Sequence, residues 1–111
     1  MRQVEVFRNG IPAGILTETD SGEYIFRYAD SWFSDRSKPA ISLTLPKTAK
    51  EYRSETLFPF FYNMLSEGAN RKLQSRLLKI DENDHFGLLA ATAEYDTVGA
   101  ITVKPLKHVS S

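Results

Sequence analysis

The chain contains no cysteine, only two histidines and no excess of either charge, since 14 basic and 14 acidic side chains balance. The lack of cysteine excludes disulfides, thiol catalysis and thiolate metal sites, and it is typical of a reducing compartment. The balanced charge leaves no long-range field to attract nucleic acid or an anionic membrane. Apolar runs are far shorter than the roughly 20 residues that span a bilayer, and the chain opens with a strand pattern instead of a signal peptide. We therefore expect a cytoplasmic protein.

A β-hairpin is predicted at the start of the chain. The pair Asn9-Gly10 accepts the positive φ angles of a type I′ turn, and apolar residues on both sides predict strands at 4–7 and 11–18. Pro12 lacks an amide hydrogen for the sheet. The second strand is therefore expected to begin at a sheet edge or a bulge.

Two more strands are predicted in the first half. Residues 24–28 alternate so that three aromatic side chains share one face: Tyr24, Phe26 and Tyr28. Residues 40–46 alternate in the same way and end at Pro46, with three apolar side chains on one face: Ile41, Leu43 and Leu45. The polar segment 29–39 between them is predicted to be a loop that carries Trp32 and Phe33.

The second half changes to a helical period. A first helix is expected to begin after Ser54 or Thr56, with Pro59 in its first turn and Gly68 as a left-handed stop. A second helix is predicted at 69–79 because apolar side chains recur at i, i+4 and i+7 and would form its core face: Leu73, Leu77 and Ile80.

A third helix is expected to be capped by Asn83 or Asp84. Its predicted core stripe has the spacing i, i+3, i+4, i+7: Phe86, Leu89, Ala90 and Ala93. A last strand is predicted at 99–103, before Pro105. Strands followed by a helical block and a closing strand predict one α+β domain over residues 1–111, mainly an antiparallel sheet with about three helices packed against it.

The motifs of an enzyme are missing. Asp84-His85-Phe86-Gly87 resembles the magnesium-binding Asp-Phe-Gly of kinases, but the inserted His85 breaks the spacing, and no glycine-rich loop accompanies it. An N-cap followed by a helix is the simpler interpretation. The acidic run 81–84 lacks the glycine and distal glutamate of a calcium loop. We expect no enzyme activity, no metal and no cofactor.

The segment 57–65 is rich in large apolar residues, including Phe60 and Phe61. A helix that is apolar on every side is either buried or shared with a partner, and a domain this small has difficulty burying all of them. We expect Phe60 and Phe61 to be core. The end of this helix and the following turn are predicted to bind a partner protein, through these residues: Tyr62, Met64, Leu65, Ser66, Glu67 and Arg71.

These motifs, in this order, resemble the N-terminal subdomain of HipA-type toxin kinases over residues 4–105. The resemblance rests on the Asn9-Gly10 hairpin, the segments 40–46 and 57–68, Arg71, the segment 84–89, and Gly99-Ala100. Two positions depart from the family pattern. Ser66 stands where proline is usual, which makes that turn less rigid, and Ala93 stands where glycine is usual, which leaves the end of the third helix undefined.

The resemblance implies a function in a toxin–antitoxin system. The chain stops where the kinase body would begin, and a free-standing copy is similar to HipS, the antitoxin of split HipBST systems. The resemblance therefore implies a non-catalytic protein that neutralises a separate HipA-like Ser/Thr kinase, in a complex with a helix-turn-helix repressor and without direct contact to nucleic acid or membrane.

Two alternatives remain open. The chain could be a structural or activating subunit of the kinase. It could also be a nucleic-acid-binding module that uses a basic helix face and two aromatic residues: Arg71, Lys72, Arg76 and Lys79, with Trp32 and Phe33.

Overall fold

The computed structural model describes residues 1–65, 68–92 and 100–106. The elements within these ranges are β1 (Arg2–Arg8), β2 (Ile11–Glu18), β3 (Tyr24–Tyr28), α1 (Asp30–Ser34), β4 (Glu51–Ser54), α2 (Pro59–Tyr62), α3 (Gly68–Leu78), α4 (His85–Thr92) and β5 (Ile101–Pro105). The strands form one antiparallel sheet in the order β4-β3-β2-β1-β5. The predicted α+β class is confirmed, with four helices in the described ranges where about three were expected.

The first hairpin forms as predicted. Asn9 and Gly10 have φ angles of 51° and 79°, the left-handed values that a type I′ turn requires. The register shifts where Val6 pairs with Gly14 but Phe7 pairs with Pro12, so β2 holds one extra residue. Pro12 therefore lies at a bulge, ahead of the stretch in which β2 also pairs with β3.

One face of the sheet supplies half of the core. Directly paired residues point to the same side, and the pairs Val4–Leu16 and Leu16–Phe26 form a buried row across three strands. The helices cover this face. The Phe26 ring lies 5.7 Å from that of Phe61 in α2, and the Tyr24 ring lies 6.4 Å from that of Phe86 in α4.

Gly14 allows one of these core rings to approach β2 closely. A Cβ atom at this position would lie 2.6 Å from the Arg27 carbonyl oxygen and 2.8 Å from the Phe26 ring, closer than non-bonded atoms approach. The absence of a side chain at Gly14 therefore leaves room for the Phe26 ring, whose centroid lies 4.9 Å from that of Tyr28 in an edge-on arrangement.

The predicted strand at 40–46 is wrong. The Tyr28 hydroxyl accepts a hydrogen bond from the Ile41 amide at 3.1 Å and donates one to the Leu45 carbonyl. These bonds fold the segment into a turn that buries Ile41 and Leu45 and leaves Leu43 fully exposed. The alternating pattern therefore belongs to a turn and not to a strand. The strand that follows β3 in the chain is β4, which pairs with β3.

The predicted loop at 29–39 contains a helix, α1. Trp32 within it is buried, and its indole N–H donates to the Pro39 carbonyl at 2.8 Å. The buried indole ties the polar segment to the core, which composition alone does not reveal.

Helix α2 has Pro59 in its first turn, as expected, but the predicted cap is wrong, because the N-cap residue is Phe58, without a side-chain cap, and not Ser54 or Thr56. The helix ends at Tyr62. The predicted helix stop at Gly68 is wrong, because Gly68 is the first residue of α3. The prediction for α3 is close, since the helix ends at Leu78 and Lys79 takes a left-handed φ of 58°.

Helix α4 begins after Asp84, the predicted cap. The Gly87 amide donates to Asp84 Oδ1 at 3.0 Å, the bond that a capping carboxylate makes. Phe86 and Leu89 are buried as predicted, whereas Ala93 lies outside the described residues. No helix in the described part of the chain is long and apolar enough to cross a bilayer.

Candidate partner-binding surface

Tyr62 lies where three helices meet. Its ring is perpendicular to that of His85 in α4, with the centroids 5.0 Å apart. The Arg71 guanidinium carbon of α3 lies 5.3 Å from the Tyr62 ring centre, and Arg71 Nη1 donates to the tyrosine hydroxyl at 3.3 Å. Because 38% of Tyr62 stays exposed, this cluster can offer an aromatic ring and polar groups to a partner.

Met64 and Leu65 occupy a different place from the one predicted. Both are buried, and both belong to the main hydrophobic core with Phe61. The expectation that so small a domain cannot bury them is wrong. The short turn after α2 folds back beneath the sheet, with the Met64 and Leu65 amides donating to the carbonyls of Phe61 and Tyr62.

The six predicted partner-binding residues are therefore not all on one surface. Tyr62 and Arg71 are in contact and accessible, whereas Met64 and Leu65 are inside. Ser66 and Glu67 lie outside the described residues. Contact of this segment with a partner stays a prediction, carried by Tyr62 and Arg71.

The half-buried side of helix α3 carries polar side chains. Arg71, Gln74 and Ser75 are its half-buried residues, and their i, i+3, i+4 spacing defines one helix face. Ser75 also donates its hydroxyl to the Ile80 carbonyl. Ser75 therefore bonds the turn that follows α3, and the half-buried side of the helix presents Arg71 to Tyr62.

The opposite face of α3 carries Leu73 and Leu77, which we call the leucine stripe. They are one helical turn apart and are 51% and 71% exposed. The predicted role of these two leucines as core residues is wrong, although Ile80 does pack against the core. The apolar residues do recur at a helical period, but the helix is rotated so that the stripe faces solvent.

Cations border the leucine stripe. Lys72 and Arg76 are exposed and also one turn apart, and the sequence of α3 contains no acidic residue. At 100° per residue, Lys72 and Arg76 lie along one side of the stripe. The sequence predicts that these cations form a solvated face opposite a core face. In the structure the cations and the leucines lie together on the exposed side of α3.

Asp84 serves the fold. The Arg2 guanidinium hydrogen-bonds its carboxylate and, together with the Gly87 amide, lowers the pKa of Asp84, although partial burial opposes this. The interpretation of Asp84 as a helix cap is confirmed. Trp32 is likewise unavailable for base stacking, because it is buried. Among the described residues there is no group of three or more His, Asp or Glu that could hold a metal.

Comparison with known proteins identifies the fold. Residues 4–104 match the family model of the HipA N-terminal domain. The chain belongs to the HipA N-terminal domain family. A solved structure described as the N-terminal domain of HipA toxin superimposes with a TM-score of 0.73 at 27% identity, covering 96% of this chain and 94% of that one.

Relatives carry the HipA N-terminal domain in two settings. Two proteins of Sinorhizobium fredii (strain NBRC 101917 / NGR234), named "Putative kinase Y4mE" and "Putative kinase Y4dM", are 28% and 30% identical over 95% and 86% of this chain. The chain spans only 25% of the length of each. An uncharacterized protein of Haemophilus influenzae (strain ATCC 51907 / DSM 11121 / KW20 / Rd) is 29% identical over 97% of this chain and 96% of its own length.

Proposed function

We propose that this chain is a non-catalytic, antitoxin-type protein that binds a separate HipA-like Ser/Thr kinase and neutralises it by contact. One observation carries the proposal. The same domain makes up a quarter of two relatives named as kinases and almost the whole of a third relative. A domain that is part of a kinase chain in one protein and nearly alone in another is suited to dock on a kinase body as a separate subunit.

The surface of the domain supports a binding role. The leucine stripe exposes two large apolar side chains next to cations, and Tyr62 and Arg71 offer an aromatic and a charged contact at the start of the same helix. Exposed apolar side chains mark binding surfaces, and Tyr and Arg are enriched at protein interfaces. Asp84, which a kinase-like interpretation would need for a metal, is occupied by Arg2 and the Gly87 amide.

The partners of the proposed complex are a HipA-like kinase that lacks this domain and a helix-turn-helix repressor. The repressor would supply the DNA contact, because this neutral chain offers few cations for counterion release. Reading frames for both partners beside the gene for this chain would support this composition.

The experiment combines the purified chain with the kinase encoded beside it and labelled ATP. We expect a stable complex on size exclusion and a fall in kinase autophosphorylation that is complete at a fixed molar ratio. A structural subunit would form the complex and leave autophosphorylation unchanged, and an activating subunit would raise it. Either result, or the absence of a complex, contradicts the antitoxin role.

The chain alone, incubated with labelled ATP, provides the matching control. We expect no phosphate transfer above the blank, since its motifs assemble no phosphate cradle and no nucleophile–base pair. Transfer that disappears on Asp84→Asn or Lys72→Ala would contradict the non-catalytic assignment.

A further inference from the structure

The leucine stripe is an unusual arrangement for a helix in a small domain. Single exposed leucines are common on protein surfaces. Here, however, Leu73 and Leu77 lie one turn apart on α3, and the polar side chains Gln74 and Ser75 take the inward positions. Leu78, which is 44% exposed, falls among these inward positions at 100° per residue. The side of α3 turned toward solvent nevertheless carries the two most exposed leucines of the helix, the reverse of an ordinary surface helix.

The charges beside the stripe restrict what can cover it. A second copy of the chain would place Lys72 and Arg76 of one α3 near the same cations of the other, a like-charge arrangement that disfavours pairing. A nucleic acid could meet the cations but would leave the leucines against a phosphate backbone. The binding of a helix to a membrane surface scales with the apolar area that it buries, and this side of α3 offers only the two leucines of the stripe.

A partner surface that consists of an apolar strip with carboxylates along one edge would complement both the leucines and the cations. Such a strip would fill the surface of Leu73 and Leu77 with aliphatic or aromatic side chains and would place acidic groups opposite Lys72 and Arg76. Amphipathic helices laid along an apolar face are a recurring form of protein recognition.

We infer that the leucine stripe, with Lys72 and Arg76 beside it, is the docking surface for an acidic-edged amphipathic helix of the kinase. This inference rests on the proposed function and deepens it by naming the surface and the chemistry of the partner segment. It also separates two contact regions, because Arg71, which bonds Tyr62, lies on the half-buried side of α3 and the stripe lies on the opposite side.

The test measures the affinity of the neighbouring kinase for variants of the full chain by isothermal titration. We expect Leu73→Ala with Leu77→Ala to weaken binding about tenfold or more, as truncation of interface anchors does. Lys72→Glu with Arg76→Glu should weaken binding most at low salt, and this loss should shrink as salt is added. All four residues are exposed, so the variants should melt like the parent.

Matched controls lie on another part of the surface. Leu43→Ala removes a leucine that is 100% exposed, and Arg36→Glu reverses an exposed charge in the same region. We expect both controls to bind within about twofold of the parent. A loss for Leu43→Ala as large as that for the stripe variant would overturn the inference, because the effect would not belong to α3.

The remaining outcomes separate the inference from the proposed function. If the parent chain binds the kinase and the stripe variants bind equally well, the docking surface is wrong and the proposed function stands. If the parent does not bind, both are wrong. Self-association, binding to phosphatidylserine vesicles or binding to duplex DNA that is lost in the stripe variants, while kinase affinity is kept, would also overturn the inference.

Discussion

Arg2 and Asp84, 82 positions apart in the sequence, form a two-pronged ion pair: Nη1 lies 2.9 Å from Oδ2 and Nη2 lies 2.7 Å from Oδ1. The same guanidinium donates from Nε and Nη2 to Glu18 at 2.8 Å and 2.6 Å. One side chain of β1 therefore holds both the neighbouring strand and the N-terminus of α4.

Asp84→Asn should reveal the contribution of this ion pair. Asparagine still caps a helix but cannot pair with Arg2 as a charge. Because Arg2 is 44% exposed and water screens the pair, we expect a loss of about 1 kcal/mol or less in the free energy of unfolding at neutral pH. Because the folded pKa of Asp84 is depressed, this stabilisation is present above the ordinary value of about 3.9 and disappears as the pH falls through the lower folded pKa.

Urea unfolding of the parent and of Asp84→Asn at several pH values measures this difference. The gap between the two proteins should be constant near neutral pH and close in acid. Glu55→Gln, which changes an exposed carboxylate after β4, is the control and should leave the unfolding curve unchanged. A gap that persists after Asp84 has been protonated would contradict the assigned role.

Tyr28→Phe should loosen the turn at residues 40–46. Without the hydroxyl, the Ile41 amide and the Leu45 carbonyl lose their partner, and an unsatisfied buried group costs about 1–3 kcal/mol. Hydrogen exchange should show faster exchange of the Ile41 amide. Tyr24→Phe removes a hydroxyl that bonds the Glu18 carboxylate in a half-buried place, so its effect should be smaller.

Gly14→Ala should destabilise the sheet although it adds a single methyl group. The new Cβ would meet the Arg27 carbonyl and the Phe26 ring, and overpacking of this kind costs about 1–3 kcal/mol. Thermal melting measures the loss. A variant that melts at the parent temperature would show that the Phe26 ring can move away from β2.

Met64→Ala and Leu65→Ala should act on stability. Both side chains are buried, and truncating a buried Met or Leu costs about 2–5 kcal/mol, so any loss of partner binding should accompany a lower melting temperature. Tyr62 is exposed and Arg71 is half-buried, so Tyr62→Ala and Arg71→Ala should lower the melting temperature less than truncation of Met64 or Leu65. Kinase pull-down with these two variants tests the predicted contact without loss of the fold.

Local signals predicted the parts of this fold that local chemistry decides. Asn9-Gly10 identified the hairpin, Pro12 the bulge and Asp84 the cap of α4, and each appears where expected. These features depend on residues a few positions apart, whose backbone preferences act before any tertiary contact is made.

The errors arose where a distant residue decides the outcome. The alternation at 40–46 is that of a strand, but the Tyr28 hydroxyl, contributed by β3, folds it into a turn. The period of Leu73 and Leu77 is that of a buried helix face, but period alone does not say which side of a helix meets the domain. For this reason the sequence alone does not predict that Leu73 and Leu77 form an exposed surface.

The sheet order has a consequence for biosynthesis. β5 pairs with β1, so the first strand to be synthesised cannot complete its pairing until the last described strand has been synthesised. At about 5–20 residues per second, the stretch between them takes roughly 5–20 s to synthesise. During that time the edge of β1 that faces away from β2 has no β5 to pair with. Pairings between strands so far apart in the sequence also form slowly. In that interval the β1 edge lacks its native partner, so it is a site where the nascent chain can form non-native pairings.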